Sequence, residues 1–168
     1  PQTIYAHLDS ADACSGAASA NGIYRSTDGG ATWQNVGSAD MNVLLRVSGK
    51  VVRAQAAAGG RIAVAIADTE LRGVFHSSDA GASWTSMGYP QTFEGANPVG
   101  IHPGGQGRLH MSLAIDRGNP NLVYVGGDRQ PGSFPNSLGA RDFSGRLFRG
   151  EVNALGGSWV SLTHSGTA

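Results

Sequence analysis

Asp128-Arg129-Gln130 and Gly139-Ala140-Arg141-Asp142-Phe143 stand at the two feet of one excursion of the chain, and between them they carry two guanidinium groups and two carboxyls. A guanidinium presents a planar fork that fits carboxylate or phosphate, and a carboxyl serves as acid, base or acceptor for a sugar hydroxyl. Asp128, Arg129, Arg141 and Asp142 are therefore candidates for contact with an acidic or polyhydroxylated ligand. Their structural reading is a set of Arg–Asp pairs that steady their own loop. His110 is a fifth candidate, and His102 lies eight positions before it in Gly100-Ile101-His102-Pro103-Gly104-Gly105. No carboxylate adjoins either ring, so the two do not match a zinc spacing, and structural or solvent-exposed roles are the reading for both. Asp9 and Asp12, with Ser10 and Ser15, hint at a calcium loop without following an EF-hand or nonapeptide pattern. Neither a metal nor a cofactor is expected. Gly104-Gly105-Gln106-Gly107 precedes a strand rather than opening a helix, which denies it the geometry of a phosphate cradle.

Composition narrows the partners. The chain has 168 residues, 40% of them apolar and 14% charged, with zero formal net charge, which suits one soluble globular domain. Lys50 is the only lysine among 12 basic residues, and the arginines are scattered from Arg25 to Arg149, so no basic stripe points to nucleic acid. No apolar run is long enough for a membrane span, and Pro1-Gln2-Thr3-Ile4-Tyr5 has none of the charge pattern of a signal peptide. Cys14 is the single cysteine and has no internal partner for a disulfide.

The residues that must position these groups announce themselves by repetition. Ser26-Thr27-Asp28-Gly29-Gly30-Ala31-Thr32-Trp33 returns 51 positions later as Ser77-Ser78-Asp79-Ala80-Gly81-Ala82-Ser83-Trp84. Asp28 and Asp79 can accept from backbone amides two or more residues onward, while Gly30 and Gly81 take positive φ without a Cβ clash. Each phrase therefore predicts a tight turn. The Trp that closes it is placed to lie over the turn and into a seam with a neighbouring unit, burying roughly 150–250 Å². On this reading Trp33 and Trp84 are both largely buried, and the roles of Ser26, Asp28, Gly30, Ser77, Asp79 and Gly81 are structural.

Apolar, β-branched and aromatic runs flank these turns. Gly22-Ile23-Tyr24-Arg25-Ser26 and Gly73-Val74-Phe75-His76-Ser77 have a third copy in Gly145 to Gly150, where the turn has lost its Asp and lengthened by two residues before Gly156-Gly157-Ser158-Trp159 closes it. Upstream lie further runs ending at Asp9, Asp68 and Asp128, and before the last two come Lys50 to Gln55 and Leu109 to Asp116. A four-stranded antiparallel meander emerges, with strands A to D at 109–116, 121–127, 146–151 and 158–163 in the third unit. The units are 1–40, starting at strand B, then 41–88, then 89–168 with a long insertion between B and C. No segment has the period of an amphipathic helix, so little helix is expected. The Asp-containing turns and the A–B turns share one end of the units. The longer connections, from Asp9 to Asn21, Asp68 to Arg72, Gly88 to Arg108 and Asp128 to Ser144, gather at the other, where a scaffold usually carries function.

The pattern Ser-x-Asp-x-Gly-x-Thr/Ser-Trp resembles the Asp-box, or BNR repeat, of bacterial neuraminidases and the wider sialidase-like β-propellers. The resemblance implies an all-β chain of propeller blades, here three in an incomplete ring, with the boxes away from any active site and His110 near the top of the central channel. It also implies an extracellular or periplasmic setting, further blades as partners, and a glycan or protein ligand on the loop-rich face. Catalytic sialidases add an arginine triad, an acid/base Asp, a Tyr–Glu pair and an Arg-Ile-Pro element. Here Arg61-Ile62-Ala63 lies inside a strand, and Glu70, Glu94 and Glu151 are the only glutamates. The expectation is a non-catalytic binding module, with part of a sialidase-like or other glycoside hydrolase as the alternative.

Overall fold

A computed structural model describes residues 2–9 and 20–164. The described chain is nearly all antiparallel sheet. The first sheet is β1 (Ile4–Leu8), β2 (Gly22–Ser26) and β3 (Gln34–Asn35), paired in that order. After α1 (Ala39–Leu45) comes a four-stranded meander of β4 (Val51–Ala57), β5 (Arg61–Ala67), β6 (Leu71–Ser77) and β7 (Thr85–Ser86). A short hairpin, β8 (Thr92–Glu94) and β9 (Asn97–Val99), leads to the second meander, β10 (Ser112–Ile115), β11 (Leu122–Gly126), β12 (Leu147–Asn153) and β13 (Gly156–Ser161). The three sheets fall where the repeat places them.

Strand β5 shows how they stack. Ile62, Val64 and Ile66 face one way, into a core with Ile23, Met41, Leu45 and Phe75. Ala63, Ala65 and Ala67 face the other way, into a core with Ile101, Met111, Ile115, Val123, Val125 and Phe148. A half-solvated strand alternates apolar and polar residues; β5 is apolar on both faces because a sheet covers each of them. Every residue from Ile62 to Ala67 is at most 2% exposed. The alanine side admits close approach by β10, and the branched side fills the wider gap towards the first sheet.

Helix α1 was not foreshadowed by any helical periodicity, being too short to show one. Ser38 caps it, its hydroxyl accepting from the Met41 amide at 3.2 Å, and Met41 and Leu45, one turn apart, are buried against the first core. The 40/41 boundary between units falls inside this helix. The β8–β9 hairpin, turning at Gly95 with φ 61°, likewise occupies a stretch read as irregular connection.

The two eight-residue phrases fold alike. Ser26 Oγ accepts from the Gly30 amide and donates to Asp28, both at 2.8 Å, and Asp28 accepts from the Thr32 amide at 2.9 Å and the Thr32 hydroxyl at 2.6 Å. Ser77, Gly81, Asp79 and Ser83 repeat these four bonds within 0.1 Å. Gly30 and Gly81 have φ of 101° and 83°. Hydrogen bonds to the charged carboxylate, led by the Thr32 hydroxyl, hold Asp28 well below the usual range. Those led by the Ser83 hydroxyl hold Asp79 at about 2.

The third turn departs from its sequence reading. It is not a lengthened box: β12 and β13 stay paired as far as Asn153 and Gly156, leaving a two-residue hairpin turn with Leu155 at its exposed tip. Without an Asp to gather the turn amides, the ladder itself continues. Gly150 is required here, since a Cβ would lie 2.6 Å from the Trp159 ring across the ladder.

The tryptophans close seams between units, with one exception. Trp84 Nε1 donates to the Val36 carbonyl at 2.6 Å, and Trp159 Nε1 donates to the Met87 carbonyl at 2.8 Å, each reaching back to the preceding sheet. Val36 and Met87 are equivalent residues: each amide donates to its own sheet, to Ile23 and Val74, at 2.8 Å. Trp33 instead donates to Gly30 within its own turn at 3.0 Å and is 44% exposed. Burial of Trp33 is thereby corrected. Its N–H reaches no neighbouring sheet among the described residues, and Trp84 itself is only half-buried.

Trp84→Ala is expected to cost about 2–4 kcal/mol in chemical denaturation, and Trp33→Ala less than about 1 kcal/mol. Equal losses at the two positions would remove the seam account. The boxes also make a pH prediction. Because Asp79 is depressed from 3.8 to about 2, its stabilisation is complete above pH 4 and is lost as pH falls towards 2. Carboxyl NMR titration of Ser83→Ala should show the Asp79 midpoint rising towards the ordinary range, while Asp28 stays where it was.

Candidate functional site

At the end of the sheets opposite the boxes, three connections are tied together: the β5–β6 turn, the segment from β7 to β10, and the excursion between β11 and β12. The Gly107 amide donates to the Thr69 carbonyl at 2.8 Å, the Asp128 amide to the Ile101 carbonyl at 3.0 Å, and the Leu71 amide to His102 Nδ1 at 3.1 Å. Between them lies an open cavity of ≈ 400 Å³. Leu71, Val99, Ile101, Pro98, Pro103 and Pro131 supply its apolar lining, and Glu70, Arg72, Tyr89, Gln91 and His102 its polar groups. The size suits one or two sugar rings or a short peptide turn.

Charge is fixed at the cavity's edge. Asp68 accepts from Lys50 Nζ at 3.1 Å, from Arg72 Nε at 2.8 Å and from the Glu70 amide at 3.1 Å. Burial opposes its charge, but these donors outweigh burial and hold the carboxyl well below the usual range. Arg72 also lies 3.4 Å from Glu70. The Asp68 cluster therefore fixes Glu70 and Arg72 beside the cavity.

His102 is 2% exposed, so of its two expected roles the solvent-exposed one is set aside. Its Nδ1 accepts from Leu71, which assigns the proton of the neutral ring to Nε2, and this N–H is buried without a well-formed hydrogen bond. Burial lowers the imidazole pKa, overriding the pull of the Asp128 carboxylate and the His110 backbone. A second proton would also set Nδ1–H against the Leu71 N–H.

The five candidates from the sequence are placed as follows. Asp128 turns towards the neighbouring segment, where Oδ2 accepts from the Gly104 and Gln106 amides at 3.1 and 3.2 Å, and its Oδ1 accepts from Arg129's own amide. Gly104 is needed for this approach, since a Cβ there would lie 2.8 Å from that carboxylate. Asp142 accepts from the Ser144 amide at 3.0 Å, and hydrogen bonding from Ser144 lowers its pKa. Arg129 lies 4.8 Å over the Phe143 ring, which meets Phe134 edge-on at 4.9 Å. Arg141 and His110 are exposed, and neither side chain makes an ion pair among the described residues. The feet do meet, the Gln130 amide donating to the Ser144 carbonyl at 2.8 Å. The expected Arg–Asp pairs do not form, because backbone amides lie closer to both carboxylates than either guanidinium does.

Arg146 carries no signal in the sequence. It is 1% exposed beneath the excursion, donating to Gln130 Oε1 at 3.2 Å, Thr92 Oγ1 at 2.8 Å and the Val99 carbonyl at 3.4 Å. Asn136 shares the Gln130 acceptor at 3.1 Å. Burial lowers the Arg146 pKa, and only neutral groups bond to it.

Asp9 accepts from the Gly49 amide at 2.9 Å and from Asn21 at 3.5 Å, while Ser10, Asp12, Cys14 and Ser15 lie outside the described residues. Among the described residues no group of three His, Cys, Asp or Glu could hold a metal, and no helix is long and apolar enough to cross a membrane. Compared with known proteins, the chain matches no family model, no curated protein and no solved structure.

A lowered His102 pKa means that the unfolded chain takes up the proton first, so stability is present above about pH 6.5 and is lost as pH falls through the folded value. His102→Gln keeps an acceptor for the Leu71 amide and removes the titration. Denaturant unfolding at pH 7.5 and pH 5 should show a shallower acid loss in the variant, by at most about 1.4 kcal/mol per pH unit. An unchanged slope would return His102 to an ordinary exposed pKa.

Proposed function

We propose that the chain is an Asp-box module whose three sheets are propeller blades and which binds a glycan, without cleaving it, in the cavity on its loop-rich end. One observation carries the ligand reading: all three long connections among the described residues converge on a single cavity that combines an exposed tyrosine with charged and amide groups. Tyr89 is 44% exposed and offers a flat apolar face, on which the C–H face of a sugar ring stacks, while Gln91, Arg72 and Glu70 suit its hydroxyls. The blade reading draws on the two matching boxes and on the repeated Trp-to-carbonyl seam. An extracellular or periplasmic setting goes with it by resemblance alone.

Glycoside hydrolysis uses two carboxyls flanking the scissile bond. Glu70 is the one carboxylate lining the cavity, and its nearest charged neighbours are a cation and the fully engaged Asp68. That favours retention over cleavage.

A glycan array probed with the intact chain should give a defined set of binders. Tyr89→Ala should weaken the best of them roughly tenfold or more with an unchanged melting temperature, since the side chain is half in solvent. Arg129→Ala and Arg141→Ala are the companion variants: if they abolish binding while Tyr89→Ala leaves it intact, the ligand sits on the excursion and the cavity assignment fails. No binding to any glycan sinks the carbohydrate reading, and turnover abolished by Glu70→Gln would replace it with the hydrolase.

A further inference from the structure

The two inner seams define what each unit shows to the next. On the side towards the following unit, the first sheet offers the Val36 carbonyl to Trp84, and Tyr5 Oη and Arg25 Nη1 both donate to the Ala80 carbonyl, at 2.9 and 2.8 Å. Tyr5 and Arg25 are cross-strand partners on β1 and β2. The second sheet offers the Met87 carbonyl to Trp159, and His76, at the position of Arg25, bonds the Pro120 carbonyl at 3.0 Å.

The third sheet carries the same face with no further sheet on it among the described residues. Leu162 donates to the Leu147 carbonyl at 2.8 Å, as Val36 does to Ile23 and Met87 to Val74, so Leu162 is the equivalent acceptor position. Its carbonyl receives no hydrogen bond among the described residues. Tyr124 and Arg149 are cross-strand partners as Tyr5 and Arg25 are; Tyr124 donates to Asp116 of its own sheet at 3.1 Å, while Arg149 makes no side-chain hydrogen bond or ion pair among the described residues. The apolar positions agree: Ile23 and Val74 are 3% and 0% exposed, but Leu147 is 37%; Met87 is 3% exposed, but Leu162 is 43%.

The opposite face of the first sheet is the matching half. Trp33, with its N–H turned back on its own loop, is 44% exposed, and so is Leu8, whose equivalent Ile66 is fully buried. Gly29, at φ 74°, stands where Ala80, at φ 59°, presents its carbonyl to Tyr5 and Arg25. One chain thus displays both halves of a seam that it forms twice internally.

We propose that these faces join two copies of the chain head to tail. Trp33 of one copy donates to the Leu162 carbonyl of the other, whose Arg149 donates to the Gly29 carbonyl. Complementarity at each position, continuous with two seams of the same design, selects a second copy as occupant. Such a contact is heterologous, so copies close into a ring or extend as a filament. The inference goes beyond glycan binding and stands if that reading fails.

Complementation tests it. Over a roughly hundredfold range of concentration the chain should self-associate in sedimentation velocity. Trp33→Ala blocks the head and Leu162→Arg the tail; each variant alone should stay monomeric with a far-ultraviolet circular dichroism spectrum that keeps its β-sheet signature. Because each retains the half that the other has lost, their equimolar mixture should form dimers and stop there. As a measurement independent of affinity, Trp33→Cys and Leu162→Cys, both with Cys14→Ser, should form a mixed disulfide in preference to either self-disulfide. A monomeric chain throughout, association that survives both blocking substitutions, a mixture that stays monomeric, or a preferred self-disulfide at residue 33 overturns the proposal. Association only with a different protein or a longer chain carrying the same repeat also overturns it, by assigning the face to another occupant.

Discussion

The structure depends on one strand that has no solvent side. Strand β5 hydrogen-bonds on both edges and is covered on both faces, so each of its residues answers to a different neighbour. Alanines set a short distance to the β10–β13 sheet, and isoleucine and valine set a longer one to the β1–β3 sheet. A shift of one residue in register would exchange the two sets and spoil both gaps at once. Everything else is arranged around that sandwich: α1 closes the first core, Ile101 and Met111 close the second, and the connections are free to vary only beyond the strand ends.

At one end, that freedom is spent on rigidity. Each box gathers most of its amides on a serine hydroxyl and a carboxylate, and one more, that of Gly29 or Ala80, donates to the carbonyl of Gln2 or Gly60 beside it. A turn tied in this way holds its tryptophan in a fixed place, and at Trp84 the indole N–H then finds the carbonyl of the preceding sheet. The third turn reaches the same seam by another route, through a longer ladder and a glycine under the ring. Two constructions with one outcome show that the seam, rather than the box, is the constraint held constant.

Much of this was legible in the residues. Alternating apolar runs, Gly- and Asp-rich turns and the repeat located all three sheets and distinguished the structured end from the loop-bearing end. What escaped was whatever depends on a neighbour. Trp33 and Trp84 are the same letter in the same phrase, yet one has a sheet behind it and the other does not. Met41 and Leu45 make a helix because a core lies beneath them; in seven residues there is no room for a period to declare itself. Arg146 and His102 look like surface residues in the sequence, and they are buried because the excursion and the β8–β9 hairpin fold over them. The two feet of the excursion meet through the Gln130 amide and the Ser144 carbonyl, but the choice of amides over guanidinium groups as partners for Asp128 and Asp142 is a matter of a few ångströms that spacing does not encode.

The loop-bearing end solves a different problem from the boxes. Its segments are long and short of regular structure, so their amides must be satisfied by side chains drawn from elsewhere: His102 for Leu71, Asp128 for Gly104 and Gln106, Glu94 for Ser137 at 2.9 Å. Each bond ties one connection to another, and together they prevent the end from collapsing onto its apolar lining. At this end the His102 Nε2–H has no well-formed hydrogen bond, and the Arg146 Nε is buried without a partner among the described residues. Buried donors of this kind are costly in an isolated protein. Of the four buried side-chain atoms without a partner among the described residues, His102 Nε2 and Arg146 Nε lie at this end, where the proposed ligand site sits, while Arg61 Nε and Asn42 Oδ1 lie elsewhere.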